Sequence, residues 1–220
     1  MTDANYTHMA FLLDASGSMA SIKSDVEGGF DAFIAEQRKE PGRCTVTLAD
    51  FSGPGDYAVR YAGKELAEVE PLQLHPRGMT ALLDSIGRLV TETGQFLSDL
   101  PEDQRPGLVI VGIMTDGHEN SSQEWTHAGI KTLIETQEQT YNWVFHYLGA
   151  NQDAIEVGAN LGVRADSALT YAPAAAGSAM EAYSASLSSL RGAVARGETV
   201  EAARRGSAYT QAQRKKATTR

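Results

Sequence analysis

The chain alternates between short apolar runs and longer segments in which apolar residues recur every three or four positions. Near-continuous apolar runs at 7–14, 106–116 and 141–149 are typical of strands buried on both faces of a parallel sheet. Helical spacing predicts helices at 22–34, 82–100 and about 122–139. This alternation predicts an α/β fold with a doubly wound, Rossmann-like open sheet and helices on both faces.

One pair of predicted strands departs from this order. The β-rich runs "GRCTVTLADFSG" and "DYAVRYAG" are joined by the loop "SGPGD" at 52–56. That connection is long enough for a hairpin but too short for a parallel crossover. The sheet is therefore expected to be mostly parallel, with one antiparallel edge strand.

The segment after residue 150 predicts a short helix ending near Gly162, a last edge strand in "ALTYA" and an alanine-rich helix. Beyond about Gly197 the apolar spacing fades. We therefore expect one domain at 1–191 and a basic C-terminal tail at 192–220 that is loosely ordered or depends on a partner for its order.

Composition narrows the class of protein. The 220 residues are 42% hydrophobic and 21% charged, as in globular domains. The single Cys44 excludes an intramolecular disulfide, which favours a reducing compartment. The start "MTDANYTH" has no basic region, and "MAFLL" is too short for a signal sequence or a membrane span. We expect a cytoplasmic protein without a membrane partner.

Charge is distributed unevenly along the chain. The net charge of the chain is −9. Residues 191–220 hold eight basic and two acidic residues, a charge of +6. Residues 1–190 hold the other 11 basic and 26 acidic residues, a charge of −15. An acidic body repels nucleic acids and anionic lipids, so we expect no nucleic-acid partner for it. The basic tail could attract either, or lie against its own domain.

Polar side chains gather where the predicted strands end. The stretch "DASGSM" supplies Asp14, Ser16 and Ser18 after the first strand, Thr80 precedes a long helix, and Asp116 ends the strand expected beside the first. Ligands bind at this edge of open α/β sheets. An all-oxygen set of hydroxyls and carboxylates suits Mg²⁺ or Mn²⁺, whereas zinc prefers nitrogen and sulfur.

These residues resemble the metal-ion-dependent adhesion site of the von Willebrand factor A (vWA) family, of the bacterial or phage single-domain type. The family pattern is Asp-x-Ser-x-Ser followed by a distant Thr and a distant Asp, and the resemblance covers roughly residues 6–190. It implies that Ser16 and Ser18 bind the metal directly and Thr80 directly or through water. Asp14 and Asp116 would act mostly through waters, and the open position would accept an acidic side chain of a partner protein.

The resulting expectation is a Mg²⁺-dependent protein-binding module rather than an enzyme. The resemblance suggests an AAA+ ATPase or a larger assembly as the partner that presents Asp or Glu. One alternative is a structural or assembly protein that docks through the basic tail. A second is a metal-dependent hydrolase, although Ser16 lacks a Gly-x-Ser-x-Gly context and no base can be assigned to it.

Simpler interpretations exist for each motif. "DASGSM" could be a turn in which Asp and Ser cap a helix, and Thr80 could be the N-cap of a helix beginning at Ala81. Ser121 and Glu124 resemble a capping box. Glu119 and His118 lie near the expected cleft, and we leave both outside the site.

Overall fold

The computed structural model describes residues 2–219 as one mixed sheet with helices on both faces. The strands are β1 (Asp3–Asp14), β2 (Arg43–Phe51), β3 (Tyr57–Glu65), β4 (Pro106–Thr115), β5 (Val144–Ala150) and β6 (Ala168–Tyr171). The helices are α1 (Lys23–Gln37), α2 (Leu82–Ser98), α3 (His127–Tyr141), α4 (Ala154–Asn160), α5 (Ala176–Ala195), α6 (Val200–Gly206) and α7 (Gln211–Thr218).

The sheet has six strands in the order β3-β2-β1-β4-β5-β6. Only the edge strand β3 runs antiparallel to its neighbour, and the other neighbouring pairs are parallel. The predicted fold class, including the antiparallel edge strand, is confirmed. β1 and β4 lie side by side at the centre, so the loops that follow them meet at one edge of the sheet.

The core lies on both faces of the sheet because the central strands carry buried apolar side chains on both faces. Met9 and Phe11 of β1 pack with α1 and α5 on one face, while Ala10 and Leu12 pack with α2 and α3 on the other. Full burial of a large apolar side chain contributes about 1.5–3 kcal/mol to folding. These two apolar layers fix β1 and β4, and thereby the positions at which their loops begin.

Helix α3 begins later than its periodicity predicts. Its first residue is His127, and the Thr126 hydroxyl at the N-cap accepts a hydrogen bond from the Gly129 N–H at 3.1 Å. The predicted capping box does not form, because the Glu119 carboxylate accepts the Ser121 N–H at 2.8 Å. Residues 121–126 are therefore a loop and not the first turn of the helix.

The C-terminal residues form helices that pack against the domain, in contrast to the loosely ordered tail expected for 192–220. α5 continues to Ala195, and α6 and α7 follow it. Ala203, Tyr209 and Ala217 are buried. Each of these short helices contributes only one buried apolar residue, which is too few to produce a hydrophobic period in the sequence.

Polar contacts also hold these helices in place. Ala172 of the segment after β6 donates its N–H to the carbonyl oxygen of Ala217 at 2.8 Å. The Arg214 Nη1 donates to the carbonyl oxygen of Ala168 at 2.7 Å. Helix α7 therefore covers the β6 edge, which would otherwise present unpaired backbone groups. Within residues 2–219, no helix combines the length and the apolar character needed to cross a membrane.

Candidate metal centre

The candidate centre lies where the loops after β1 and β4 meet a third loop, residues 76–81, that leads into α2. The ladder between β1 and β4 pairs Leu13 with Met114, so both strands end at the same level. The third loop is bonded to the first, because Arg77 donates its N–H to the Ala15 carbonyl oxygen at 2.6 Å and Gly17 donates to the Gly78 carbonyl oxygen at 3.3 Å. All three motif segments therefore share one edge.

The two serines and the carboxylate after β4 form a continuous set of hydrogen bonds. The Oγ atoms of Ser16 and Ser18 are 3.0 Å apart. The Ser18 hydroxyl donates to Asp116 Oδ1 at 2.6 Å, across 98 residues of sequence. The structure thus brings together side chains that the sequence could relate only by motif.

Thr80 and Asp14 both lie close to Gly117. A Cβ atom built on Gly117 would lie 3.0 Å from Thr80 Oγ1 and 3.6 Å from Asp14 Oδ2. A side chain at this position would therefore crowd the threonine hydroxyl. All five predicted residues are therefore gathered around the ends of β1 and β4.

Asp14 is the fully buried carboxylate of the candidate centre. It has no exposed surface, and its Oδ1 accepts the Ser16 N–H at 2.6 Å while its Oδ2 accepts the Thr115 hydroxyl at 2.6 Å. Burial raises the pKa of Asp14, although hydrogen bonds from Thr115 and Ser16 oppose the shift. Burial also raises the pKa of Asp116, against the hydrogen bond from Ser18. Both shifts show carboxylates held in a low-dielectric setting.

Asn120 and Thr115 belong to this centre, and the motif pattern names neither. Asn120 Oδ1 accepts the Thr80 N–H at 3.0 Å, and the Asn120 N–H donates to the Thr80 carbonyl oxygen at 3.1 Å. These two bonds tie the Thr80 loop to the loop after β4. The only sequence signal for Thr115 was a hydroxyl at the end of an apolar strand, directly before Asp116.

Glu119 forms hydrogen bonds with backbone groups of its own loop and of α2. Its carboxylate accepts the N–H groups of Leu83 at 2.9 Å and of Ser122 at 2.8 Å. Burial alone would raise the pKa of Glu119, but the donors of Ser122 and Leu83 hold the pKa below its usual value. The carboxylate is therefore engaged by backbone donors of its own loop and of α2.

The capping interpretations of the motifs are wrong for this structure. α2 begins at Leu82, its N-cap position is Ala81, and no side chain caps it. Ser16 precedes a short 3-10 turn at Gly17–Ser21 and makes no capping bond through its side chain. Neither the Ser16 hydroxyl nor the Thr80 hydroxyl therefore caps a helix.

The donor set fits a hard divalent cation. It comprises three hydroxyls and two carboxylates, and oxygen is the element that Mg²⁺ and Mn²⁺ prefer. Within the described part of the chain, no group of three or more His, Cys, Asp or Glu side chains is placed to hold a metal ion. Binding at this edge would therefore depend on the serine and threonine hydroxyls together with the two carboxylates.

Comparisons with known proteins show the fold. No family model and no curated protein matches the chain. Solved structures do match, among them proximal thread matrix protein 1 from the mussel byssus, at 16% identity and a TM-score of 0.58, over 81% of this chain and 45% of that one. The open conformation of the pilus adhesin SpaC from Lactobacillus rhamnosus GG matches at 16% identity and 0.57, over 87% of this chain and 30% of that one.

The fold of this chain is a doubly wound α/β fold of the kind found in these structures. A von Willebrand factor type A structure from Catenulispora acidiphila also matches, at 16% identity and a TM-score of 0.49, over 83% of this chain and 42% of that one. The chain spans less than half the length of each of these structures. At such identities the likeness concerns the architecture, so the chemistry of the site rests on this chain's own residues.

Proposed function

We propose that this vWA-like domain is a Mg²⁺- or Mn²⁺-dependent protein-binding module whose site accepts an acidic side chain of a partner. The observation that carries the proposal is the convergence of three hydroxyls and two carboxylates, from three separate loops, at the edge where β1 and β4 end. The residues are Asp14, Ser16, Ser18, Thr80 and Asp116.

Each residue has a defined task in this proposal. Ser16 and Ser18 offer adjacent hydroxyl oxygens to the cation, and Thr80 offers a third from the opposite loop. Asp116 orients the Ser18 hydroxyl, and Asp14 lies beneath the serines with both carboxylate oxygens hydrogen-bonded. A bound cation would supply positive charge for a partner's carboxylate, which the acidic body, at −15 over residues 1–190, would otherwise repel.

Binding is favoured over hydrolysis by the contacts of the serines. A nucleophilic hydroxyl needs a neighbouring base, most often a histidine or lysine. Among the described residues, the Ser16 and Ser18 side chains bond to each other and to Asp116. The two buried histidines, His8 and His146, bond instead to Thr45 and Tyr209.

The alternative of assembly through a basic tail has lost its main support. Arg204 and Arg214 donate hydrogen bonds to the domain's own carbonyl oxygens, and Lys216 pairs with Glu181 at 2.6 Å. A tail engaged in this way is part of the domain. Two structures with the same fold are described as a pilus adhesin and a thread matrix protein, which agrees with a role in contacting other proteins.

A metal titration tests the first half of the proposal. We expect calorimetry to show saturable binding of Mn²⁺ to the full chain in acetate buffer, where acetate serves as the carboxylate. Ser16→Ala and Asp116→Asn should weaken binding by at least about tenfold. Asp25→Asn, which changes an exposed carboxylate in the first turn of α1, is the matched control and should bind as the unchanged chain does.

Partner capture tests the second half. The full chain, used as bait with Mg²⁺, should retain a protein that EDTA releases and that the Asp116→Asn bait never retains. Substituting that protein's surface Asp and Glu residues one at a time should identify a single carboxylate on which retention depends. The absence of saturable Mn²⁺ binding, or capture that is indifferent to EDTA, would refute the proposal.

A further inference from the structure

We propose that Arg77 is a positioning residue for the metal centre, because its guanidinium clamps the Thr80 loop to the β2–β3 hairpin and so fixes where the Thr80 hydroxyl lies. The inference rests on the proposed function. Residues from three segments converge on Arg77, which lies three positions before Thr80 in the chain.

The guanidinium of Arg77 is almost fully engaged. Its Nε donates to Asp56 Oδ2 at 2.7 Å, and its Nη2 donates to Asp56 Oδ1 at 2.8 Å and to Asp50 Oδ1 at 2.9 Å. Its Nη1 donates to the His75 carbonyl oxygen at 3.0 Å. Four of the five N–H donors that a guanidinium carries are therefore in use.

The acceptors of these bonds are anchored to the sheet. Asp50 lies one residue before the end of β2, is buried, and also forms an ion pair with Arg60. Asp56 lies in the hairpin loop, where its Oδ2 also accepts the Ser52 hydroxyl at 2.5 Å. Arg77 thus joins the Thr80 loop to a strand end that the core holds in place.

The hairpin loop also contacts the Thr80 loop directly. Ala81 donates its N–H to the Ser52 carbonyl oxygen at 2.8 Å. Gly78 has a φ of +63°, and a Cβ at this position would lie 2.8 Å from Ser52 Oγ, so only glycine fits without strain. The close approach of the two loops depends on this backbone conformation and on the Arg77 contacts together.

Thr80 is consequently held from two sides. Asn120 bonds to both backbone groups of Thr80 from the loop after β4. The Arg77 contacts hold the same loop from the β2–β3 side, and the Arg77 N–H reaches the Ala15 carbonyl oxygen within the motif itself. Loss of the Arg77 guanidinium would leave the Thr80 loop with its backbone bonds to Ser52, Ala15 and the loop after β4, but without its side-chain links to Asp50 and Asp56. The distance between the Thr80 hydroxyl and the two serines would then be less tightly fixed.

The test measures Mn²⁺ affinity of the full chain by calorimetry, well below the melting temperature. Arg77→Met and Asp56→Asn should each weaken binding about tenfold, the lower end of what substituting residues that orient metal ligands costs. The double variant should bind no more than about twofold more weakly than either single variant, because both changes release the same clamp.

The matched control is Arg43→Met. Arg43 donates through Nε and Nη2 to Glu65 Oε1 at 2.9 and 2.7 Å, and so links the same two strands at the end far from the centre. Its loss should leave Mn²⁺ affinity unchanged. Arg77→Lys separates charge from geometry, because an ammonium supplies the charge but cannot span two carboxylates as the guanidinium fork does.

The outcomes distinguish this inference from the function on which it rests. An unchanged chain without saturable Mn²⁺ binding overturns the proposed function and the inference together. An unchanged chain that binds, with Arg77→Met and Asp56→Asn equally tight, overturns the inference alone. Full affinity in Arg77→Lys would also overturn it, because charge would then suffice. If Arg77→Met does not fold, the Mn²⁺ affinity of Asp56→Asn, a change in the hairpin loop, still tests the inference.

Discussion

Replacing Arg204 with Met tests whether the C-terminal helices are an integral part of the domain. Arg204 lies in α6 and is buried. Its Nη2 donates to the Trp143 carbonyl oxygen at 2.6 Å, and its Nη1 lies 3.3 Å from Glu138 Oε2. The Glu138 side chain is only 12% exposed, so this is an ion pair with little water around it.

The magnitude follows from what the substitution leaves behind. Removing one partner of a buried ion pair strands the other charge, which typically costs about 3–5 kcal/mol of unfolding free energy. Burial already raises the pKa of Glu138, and Arg204 opposes that rise. We therefore expect Arg204→Met to lower stability by about 3–5 kcal/mol near neutral pH. The double variant with Glu138→Gln should regain about half of the loss, because no charge is then stranded.

Urea unfolding followed by circular dichroism is the assay. Arg205→Met is the matched control, since Arg205 is the next residue of the same helix and is exposed, and its loss should cost no more than about 0.5 kcal/mol. A cost for Arg204→Met below about 1 kcal/mol would show that α6 is not docked as the structure has it. Purely additive effects in the double variant would refute the pairing with Glu138.

Two further predictions concern pH and the sheet edge. Burial lowers the pKa of His8 to about 4 and of His146 to about 3, whereas an unfolded histidine titrates near 6.5, so protonation favours the unfolded chain. The stabilising effect of the two neutral histidines should be complete above about pH 6.5 and should be lost progressively below it. At pH 5 the loss should be about 2 kcal/mol of unfolding free energy for each histidine. In urea titrations, His146→Gln should remove about half of that loss. Ending the chain at residue 208 removes α7 and exposes the β6 edge. Because exposed strand edges associate, light scattering by the truncated chain should rise with protein concentration. A truncated chain that stays monomeric and equally stable would contradict the edge-covering role of α7.

The fold, and the proximity of the five predicted residues, could be anticipated because strand ends and short motifs are local features of the sequence. Asp14 and Asp116 stand where apolar runs end, and the carboxyl ends of parallel strands share one edge. Ser16 and Ser18 follow Asp14 at fixed spacing on one turn. A pattern of strand ends thus contains enough information to place these side chains near one another before any contact is known.

The residues that hold the site in place were not predictable in the same way. Asn120 contacts Thr80 across 40 positions, and Arg77 contacts Asp50 across 27. No periodicity or spacing rule relates such pairs, because their approach depends on how three loops fold over the sheet. The docking of α6 and α7 was missed for a related reason, since it depends on isolated buried residues such as Arg204 and Tyr209.

The environment of Asp14 bears on the proposed cation site, because it limits how far this carboxylate would neutralise a bound cation. Both of its oxygens are engaged, one by the Ser16 N–H and the other by the Thr115 hydroxyl. The Thr115 carbonyl oxygen in turn accepts the buried Tyr171 hydroxyl at 3.3 Å, so β1, β4 and β6 are joined at this edge. Each oxygen keeps a second lone pair, but rotation of this carboxylate toward a cation would lengthen both hydrogen bonds. A cation held by the hydroxyls above it would keep most of its charge, and that charge is what an acidic partner would bind.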